Sequence, residues 1–453
     1  ANVNENLSVE QPEGQSGQQL SLPDAAQQSA RRLLPGHVFS RFVAAGPWKA
    51  LSYSDYRLLW SGQLISTAGS QMRIVAVAWQ VYLLSGSALE LGLLGLLQAI
   101  PTMIFSLMSG VIADAFDRRK LLLFTQVSLA LCSTALALLT AFNLITVPLI
   151  YLIAFVSAAV AAFDFPTRQA LIAKIVPGEQ LTNAYSLNSL TFSLATVIGP
   201  TLGGFTIAWV GVAGAYWCDV SSFLCVIVAI ILMQVDGRPG EGRTRPGLQS
   251  MVDGFGFLRR HPVLLAVMML DFCAMLFGAT RGLLPIYARN IYNVGPQGLG
   301  ILQASAPVGA VLATLFSGPI ARIRRQGLGV VLSIAAYGGF VVLFGFSSWS
   351  FALGLFFLAA SGAADTISTV LRSTIVQLGT PDDFRGRVSS VYAIFAIGGP
   401  MLGQFESGAF ADFATAPIAM VGGGLLVILC AGLSSALVPA IRRFRPIQEY
   451  PSP

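Results

Sequence analysis

Charge is scarce in this 453-residue chain: 11% of its residues are Asp, Glu, Lys or Arg, against 55% hydrophobic. Soluble domains carry about a quarter charged residues, so an ordinary water-soluble protein is excluded. One oversized apolar core fails too, because single cores stop growing at about 250–300 residues. Lipid is the solvent that fits. Histidine is almost missing: His37 and His261 are the only two, both in a predicted tail or loop, which rules out a histidine-based metal or catalytic centre. The five cysteines (Cys132, Cys218, Cys225, Cys273, Cys430) lie inside apolar runs, with no CxxC pair and no histidine nearby to complete a zinc site. No metal and no cofactor is therefore expected. Lysine occurs only at 49, 120 and 174, never after a glycine, so the GxxxxGK[ST] loop of ATP-driven machines is missing. Neither HExxH, GxSxG nor a paired-carboxylate constellation occurs in a plausible setting, and no enzyme is expected. The net charge of +6 is spread in short basic clusters between apolar runs, not gathered on one face or helix, so nucleic acid is excluded as a partner.

What the chain does have is a recurrence of apolar stretches long enough to cross a hydrocarbon core of about 30 Å. Spans are predicted at 57–84, 89–113, 120–142, 147–172, 181–209, 213–234, 263–289, 298–321, 328–346, 350–376, 385–410 and 416–440. Residues 1–50, rich in Gln, Ser, Glu and Pro and without an apolar stretch fit for a signal peptide, are expected to be a disordered cytoplasmic tail. The rest divides into a six-helix bundle at 51–234, a Gly/Pro/Arg-rich central loop at 235–262, a second six-helix bundle at 263–440 and a tail at 441–453. Within the loop, residues 248–260 could form a short amphipathic helix at the membrane interface.

The basic residues test this layout, because cytoplasmic loops collect positive charge. With the amino terminus inside, the inner segments receive Arg118, Arg119 and Lys120; Arg168 and Lys174; Arg238 to Arg260; Arg322, Arg324 and Arg325; Arg372, Arg385 and Arg387; and Arg442, Arg443 and Arg445. Only Arg73, Arg281 and Arg289 fall elsewhere. Both termini are expected in the cytoplasm. The halves also read as one unit copied in parallel. Ser109-Gly110-Val-Ile-Ala113-Asp114 matches Ser317-Gly318-Pro-Ile-Ala321-Arg322 at an offset of 208, shared by Arg73 and Arg281. Arg168 and Pro177 match Arg372 and Pro381 at 204, and Gly199-Pro200 matches Gly399-Pro400 at 200.

Between spans 2 and 3 lies Gly110-x-x-x-Asp114-x-x-Asp117-Arg118-Arg119-Lys120. This segment resembles the signature loop of the major facilitator superfamily, with Ala115 at a position that is usually basic and Asp117 at one that is usually glycine. The resemblance implies a cytoplasmic gate built from Gly110, Asp114, Asp117, Arg118 and Arg119. Span 5 carries Ala195-x-x-x-Gly199-Pro200-x-x-Gly203-Gly204, which looks like the motif of the antiporter, drug-exporting branches, with Ala195 in place of the first glycine. Pro166 to Ala184, with Gly254-Phe255-Gly256-Phe257-Leu258, is similar to the enterobactin-exporter-like group. The resemblance covers most of residues 50–445. It implies an all-α major facilitator fold, twelve transmembrane helices in two pseudo-symmetric six-helix bundles, in a bacterial inner membrane.

Ionisable residues within spans cost at least about 2.5–3.5 kcal/mol at a helix centre and count as functional candidates by default. Span 1 has Arg73; span 7 has Asp271 and Arg281. The superfamily resemblance places those spans around a central cavity, with Trp79, Gln98 and Gln303 as further lining residues. Two arginines would attract an anionic or zwitterionic small molecule. Asp271 is the first candidate for proton coupling and Glu406 the second, while Asp164, four residues before Arg168, reads as a local ion pair. The expected protein is a monomeric, proton-coupled exporter of an amphipathic small molecule. A sensor or structural subunit that kept the fold but lost transport is the alternative.

Overall fold

The computed structural model describes residues 47–235, 237, 255–316, 318 and 325–443; inside the helices, a few side chains, those of Gly110 and Asp114 included, are left undescribed. Most of the predicted tail and central loop, residues 248–254 of the amphipathic segment, most of the repeated 317–322 motif and residues 444–453 lie outside them. Residues 255–260 are helical.

Among the described residues the long elements are all helices: α1 (Ser54–Ser85), α2 (Ala88–Ala115), α3 (Arg118–Ala141), α4 (Val147–Ile175), α5 (Leu181–Val210), α6 (Val212–Leu232), α7 (Pro262–Phe277), α8 (Gly295–Leu315), α9 (Gln326–Phe346), α10 (Phe351–Gly379), α11 (Asp382–Phe413) and α12 (Ala416–Leu437). Their starts are written locally. Prolines occupy the first turn of α4, α7, α8 and α12, where no amide bond is lost. Ser87, Asp117, Ser350 and Thr415 cap α2, α3, α10 and α12 through their side-chain oxygens. Gly86, at φ 65°, closes α1 with its amide on the Tyr82 carbonyl, a left-handed turn that glycine adopts without strain.

Among the described residues, ten segments are long and apolar enough to cross a membrane. The more polar α1, with Gln63, Gln71, Arg73 and Gln80, and α11, with Arg385, Arg387, Gln404 and Glu406, are not among them. The connections at one end of the molecule are short, at residues 86–87, 142–146, 211, 292–294, 347–350 and 414–415. The opposite end holds the arginine-rich turns.

The packing repeats itself. α1 packs on α5 and α6, α2 on α4, and α3 on α4 and α6; adding six to every number gives the contacts of the second half. The bridges between halves, α2 on α11 and α5 on α8, exchange under the same shift. This is a pseudo-twofold pair of helix bundles. Their cores are less symmetric: at the arginine-poor end one apolar cluster, including Tyr82, Leu91, Tyr216, Tyr287, Leu299 and Phe344, draws on both halves. Towards the arginine-rich end there are two clusters, one wholly in each half.

Two expectations change. The tail was drawn to residue 50, yet Pro47–Ser52 forms a 3₁₀ turn against α5, with Ala50 fully buried beside α1 and α5 residues. Span 7, expected to run unbroken over 263–289, stops as an α-helix at Phe277 and continues through 3₁₀ (Arg281–Leu283) and π (Tyr287–Ile291) turns. Pro285 cannot donate to the carbonyl of residue 281, and the Gly278 carbonyl is taken by the Tyr337 hydroxyl at 2.5 Å.

Candidate functional site

The charges inside the bundles are held in polar seams, and each half builds its own. In the first half, Arg73 on α1 meets Asp219 on α6 at 2.9 Å, with Asp219 completely buried. The Ser133 hydroxyl donates to the same carboxylate at 2.6 Å. Gly69 makes room, since a Cβ there would lie 2.1 Å from the Ser222 hydroxyl. The seam extends through Tyr216, which donates to Gln80 at 2.8 Å, and Gln80 donates to Thr140 at 3.0 Å. Arg73 thus spends its charge inside its own half. Asp219 is not among the sequence candidates; the usable signal was charge balance, because a buried arginine needs an acid.

A second seam in this half joins Arg168 and Asp164 of α4 in an ion pair. The Gln126 amide donates to Asp164 at 2.6 Å. Gln63 of α1 presents its amide oxygen to Arg168 and neighbours Asn188 of α5. In the second half, Arg372 of α10 binds Asp271 of α7 at 2.6 Å, both side chains buried. The hydroxyls of Ser368 and Thr369 accept from the same guanidinium at 3.3 and 3.0 Å. The pair spans two helices, so Asp271 stands against Arg372, a residue the sequence placed in an inner segment.

Arg281 differs. It starts the 3₁₀ turn where α7 is broken, is exposed, and among the described residues makes no hydrogen bond or ion pair. Among the remaining candidates, Gln98 is half-buried and Gln303 buried. Trp79 belongs to the apolar cluster shared by both halves. Glu406 is half-buried on α11 and, among the described residues, has no hydrogen-bond or ion-pair partner.

The loop segment Asp117-Arg118-Arg119 is built as a set of helix caps. Asp117 accepts from the amides of Arg119 and Lys120 at 3.0 and 3.1 Å. The Arg119 guanidinium donates to the Ile230 and Ile231 carbonyls at 3.0 and 2.8 Å, and Arg118 donates to the Ala170 carbonyl at 3.2 Å. Ile230 and Ile231 lie in the last turn of α6, where cations are favoured by the helix dipole. Whether Asp114 joins them lies outside the described side chains. The glycines of α5 divide their work: a Cβ at Gly199 or Gly203 would strike Ala68, Gln71 or Met72 of α1, and one at Gly204 would lie 2.4 Å from the Pro296 carbonyl of α8. Pro200 contributes the carbonyl against which Gly300 sits. Gly399 and Gly403 repeat the first arrangement, on α11 against α7.

At the arginine-poor end the halves are also tied by polar contacts. Ser87 donates to Asp412 at 3.0 Å, and Asn290 to the Tyr82 hydroxyl at 2.7 Å. Gly92 and Gly408 meet backbone to backbone. The arrangement is two bundles joined at one end, with separate cores at the other.

The comparisons with known proteins agree with that architecture. The chain is 26% identical over 394 residues, 87% of its length and 94% of theirs, to the enterobactin exporter EntS of Shigella boydii serotype 18 and that of Escherichia coli O81. In fold it is similar to a bacterial homolog of the human lysosomal transporter Spinster in an inward-facing, unoccupied conformation (TM-score 0.68, 15% identity, covering 87% of this chain and 98% of that one). It is also similar to a bacterial homologue of the iron transporter ferroportin in an inward-facing state (TM-score 0.65, 13% identity, 84% and 98%). The profile described as transmembrane secretion effector matches residues 45–451, so the chain belongs to that family and is a multi-pass secondary transporter of the major facilitator superfamily, not an enzyme.

Proposed function

We propose that this protein exports an amphipathic small molecule, siderophore-like or drug-like and anionic or zwitterionic, across a bacterial inner membrane in exchange for protons. All twelve helices cross the bilayer, six in each bundle, the protein works as a monomer, and the arginine-rich end with both termini faces the cytoplasm. The observation that carries the reading is the contrast between the two ends: one apolar core shared by both halves at the arginine-poor end, separate cores at the other. In this arrangement the carrier is open inwards. Substrate enters from the cytoplasm or inner leaflet and meets Arg281, exposed at the α7 break. The bundles then rock about the α2–α11 and α5–α8 crossings, and the cluster from Gly110 to Arg119 latches the inner end. Asp271, held by Arg372, is the proton carrier, with Glu406 as the second candidate. Similarity to enterobactin exporters supports export and the substrate class.

The test is purified full-length protein in liposomes with an imposed pH gradient, offered siderophores and amphipathic drugs. Gradient-dependent transport is expected, lost in Asp271→Asn and weakened in Arg281→Ala. Transport indifferent to the gradient removes proton exchange, and absence of transport for every compound favours the sensor alternative.

A further inference from the structure

Arg289 is one of the three basic residues that the topology leaves away from the arginine-rich end, and neither the polar seams nor the substrate path above uses it. Among the described residues it forms no ion pair. Its guanidinium carbon lies 5.7 Å from the centroid of the Tyr82 ring, across the boundary between the halves, within reach of a cation–π attraction. The next residue, Asn290, donates from its side-chain amide to the Tyr82 hydroxyl at 2.7 Å. Arg289 and Asn290 are exposed and sit in the π turn Tyr287–Ile291 that continues the broken α7. Tyr82 lies in the last turn of α1 and is buried, 3% exposed, in the apolar core that both halves share.

Tyr82 and Asn290 stand at the offset of 208 that also relates Arg73 to Arg281, so they are equivalent positions of the two bundles. Equivalent positions of a pseudo-twofold pair can touch only at the axis itself. The other side-chain hydrogen bond between the halves among the described residues, Ser87 to Asp412, joins positions 325 apart and is exposed, where water replaces a lost bond at little cost. When the bundles rock about the α2–α11 and α5–α8 crossings, groups beside those crossings slide past one another. Groups on the axis at the arginine-poor end move directly apart.

Resting on the transporter reading above, we infer that Tyr82, Arg289 and Asn290 form the latch of the arginine-poor end: one hydrogen bond and one cation over a ring hold that end shut, and both break each time the carrier opens there. Tyr82 is the fixed face, anchored in the shared core, and the π turn carries the two groups that engage it. A latch of this size biases the equilibrium without freezing it. One hydrogen bond is worth about a fivefold population ratio, and an exposed cation–π contact about two- to fivefold.

The experiment uses the full-length protein in lipid nanodiscs, its five cysteines replaced, with spin labels on Leu144→Cys and Ser348→Cys. These positions are exposed, one in each half, in connections at the arginine-poor end. Double electron–electron resonance reads the ratio of long to short distances. Tyr82→Phe, which keeps the ring, and Asn290→Ala are each expected to raise that ratio about fivefold. The double variant is expected to raise it no further, because both changes remove the same bond. Arg289→Gln is expected to raise it about threefold, whereas Arg289→Lys, which keeps the cation, stays close to the wild type. A ratio unchanged in Tyr82→Phe and Asn290→Ala, or effects that multiply in the double variant, overturns the latch. Gradient-driven transport of siderophores is measured on the same proteins in liposomes. Transport that persists beside unchanged ratios removes the latch alone; one fixed distance in every variant with no transport removes the latch and the transporter reading together.

Discussion

The two bundles share one helix order and one packing scheme but distribute charge differently. Arg73 and Arg281 correspond at an offset of 208, and so do Gln63 and Asp271; Arg168 and Arg372 correspond at 204, and so do Asp164 and Ser368. In the first half the acid that neutralises the α4 arginine sits on the same helix, and α1 offers only an amide. In the second half the acid has moved to α7 and the α10 position holds a hydroxyl. Asp219, which ties Arg73, has Gly423 as its counterpart at 204. A Cβ at Gly423 would lie 2.2 Å from the Phe277 carbonyl, so α12 presses directly on the end of α7 where that helix breaks. The first half closes its charges locally. The second uses one acid to join α7 to α10 and leaves Arg281 without a tether. The duplicated scaffold thus pairs its arginines within the first half and leaves Arg281 without an ion pair among the described residues of the second.

The largest expected effect breaks the charge pairing of the first half. Asp219→Ala strands Arg73 in a buried seam and should cost about 3–5 kcal/mol, visible as lost expression or a lower melting temperature in detergent. The double variant Arg73→Met with Asp219→Leu should recover most of it, since an apolar pair can replace a buried ion pair. Little recovery would show that Arg73 does more than pair with Asp219. Next comes the conversion of one half's chemistry into the other's. Asp164→Ser alone should destabilise by about 2 kcal/mol, the order of an unsatisfied charged partner; adding Gln63→Asp should restore stability, measured by thermal unfolding of the two variants side by side. A double variant no better than the single one would mean the halves are not interchangeable.

A smaller, conformational effect is expected at the crossing of α5 and α8. Gly204→Ala places a Cβ 2.4 Å from the Pro296 carbonyl, so the arginine-poor end should close less completely, read as a longer spin-label distance between positions 87 and 412. An unchanged distance would acquit this crossing of controlling closure. The smallest is Ser87→Ala, which removes an exposed contact to Asp412 together with the side-chain cap of α2 and should cost about 1 kcal/mol.

The helix pattern was legible because apolar runs of membrane-crossing length recur along the chain: the predicted spans coincide with long helices among the described residues to within a few residues at most ends, and ten segments are apolar enough to cross a membrane. The repeat was legible from offsets alone. The α7 break was not, although Gly278, Gly282 and Pro285 were in view, because apolar composition continues through it and hydropathy does not register backbone geometry. The local Asp164–Arg168 pair could be read from one-turn spacing. The long-range pairs Arg73–Asp219 and Asp271–Arg372 could not, since spacing carries no information on which helices meet. Asp117 was read as part of a gate, and its capping role follows from its place immediately before α3, a signal that the motif resemblance overshadowed.

The most direct test of a cavity reached from the arginine-rich end is the reactivity of position 281. In a background whose five cysteines are replaced, Arg281→Cys should react with a charged, membrane-impermeant thiosulfonate applied from the arginine-rich side, and substrate should slow the reaction. A thiol inert to that reagent yet modified by a lipid-soluble maleimide would place residue 281 against acyl chains and contradict the account.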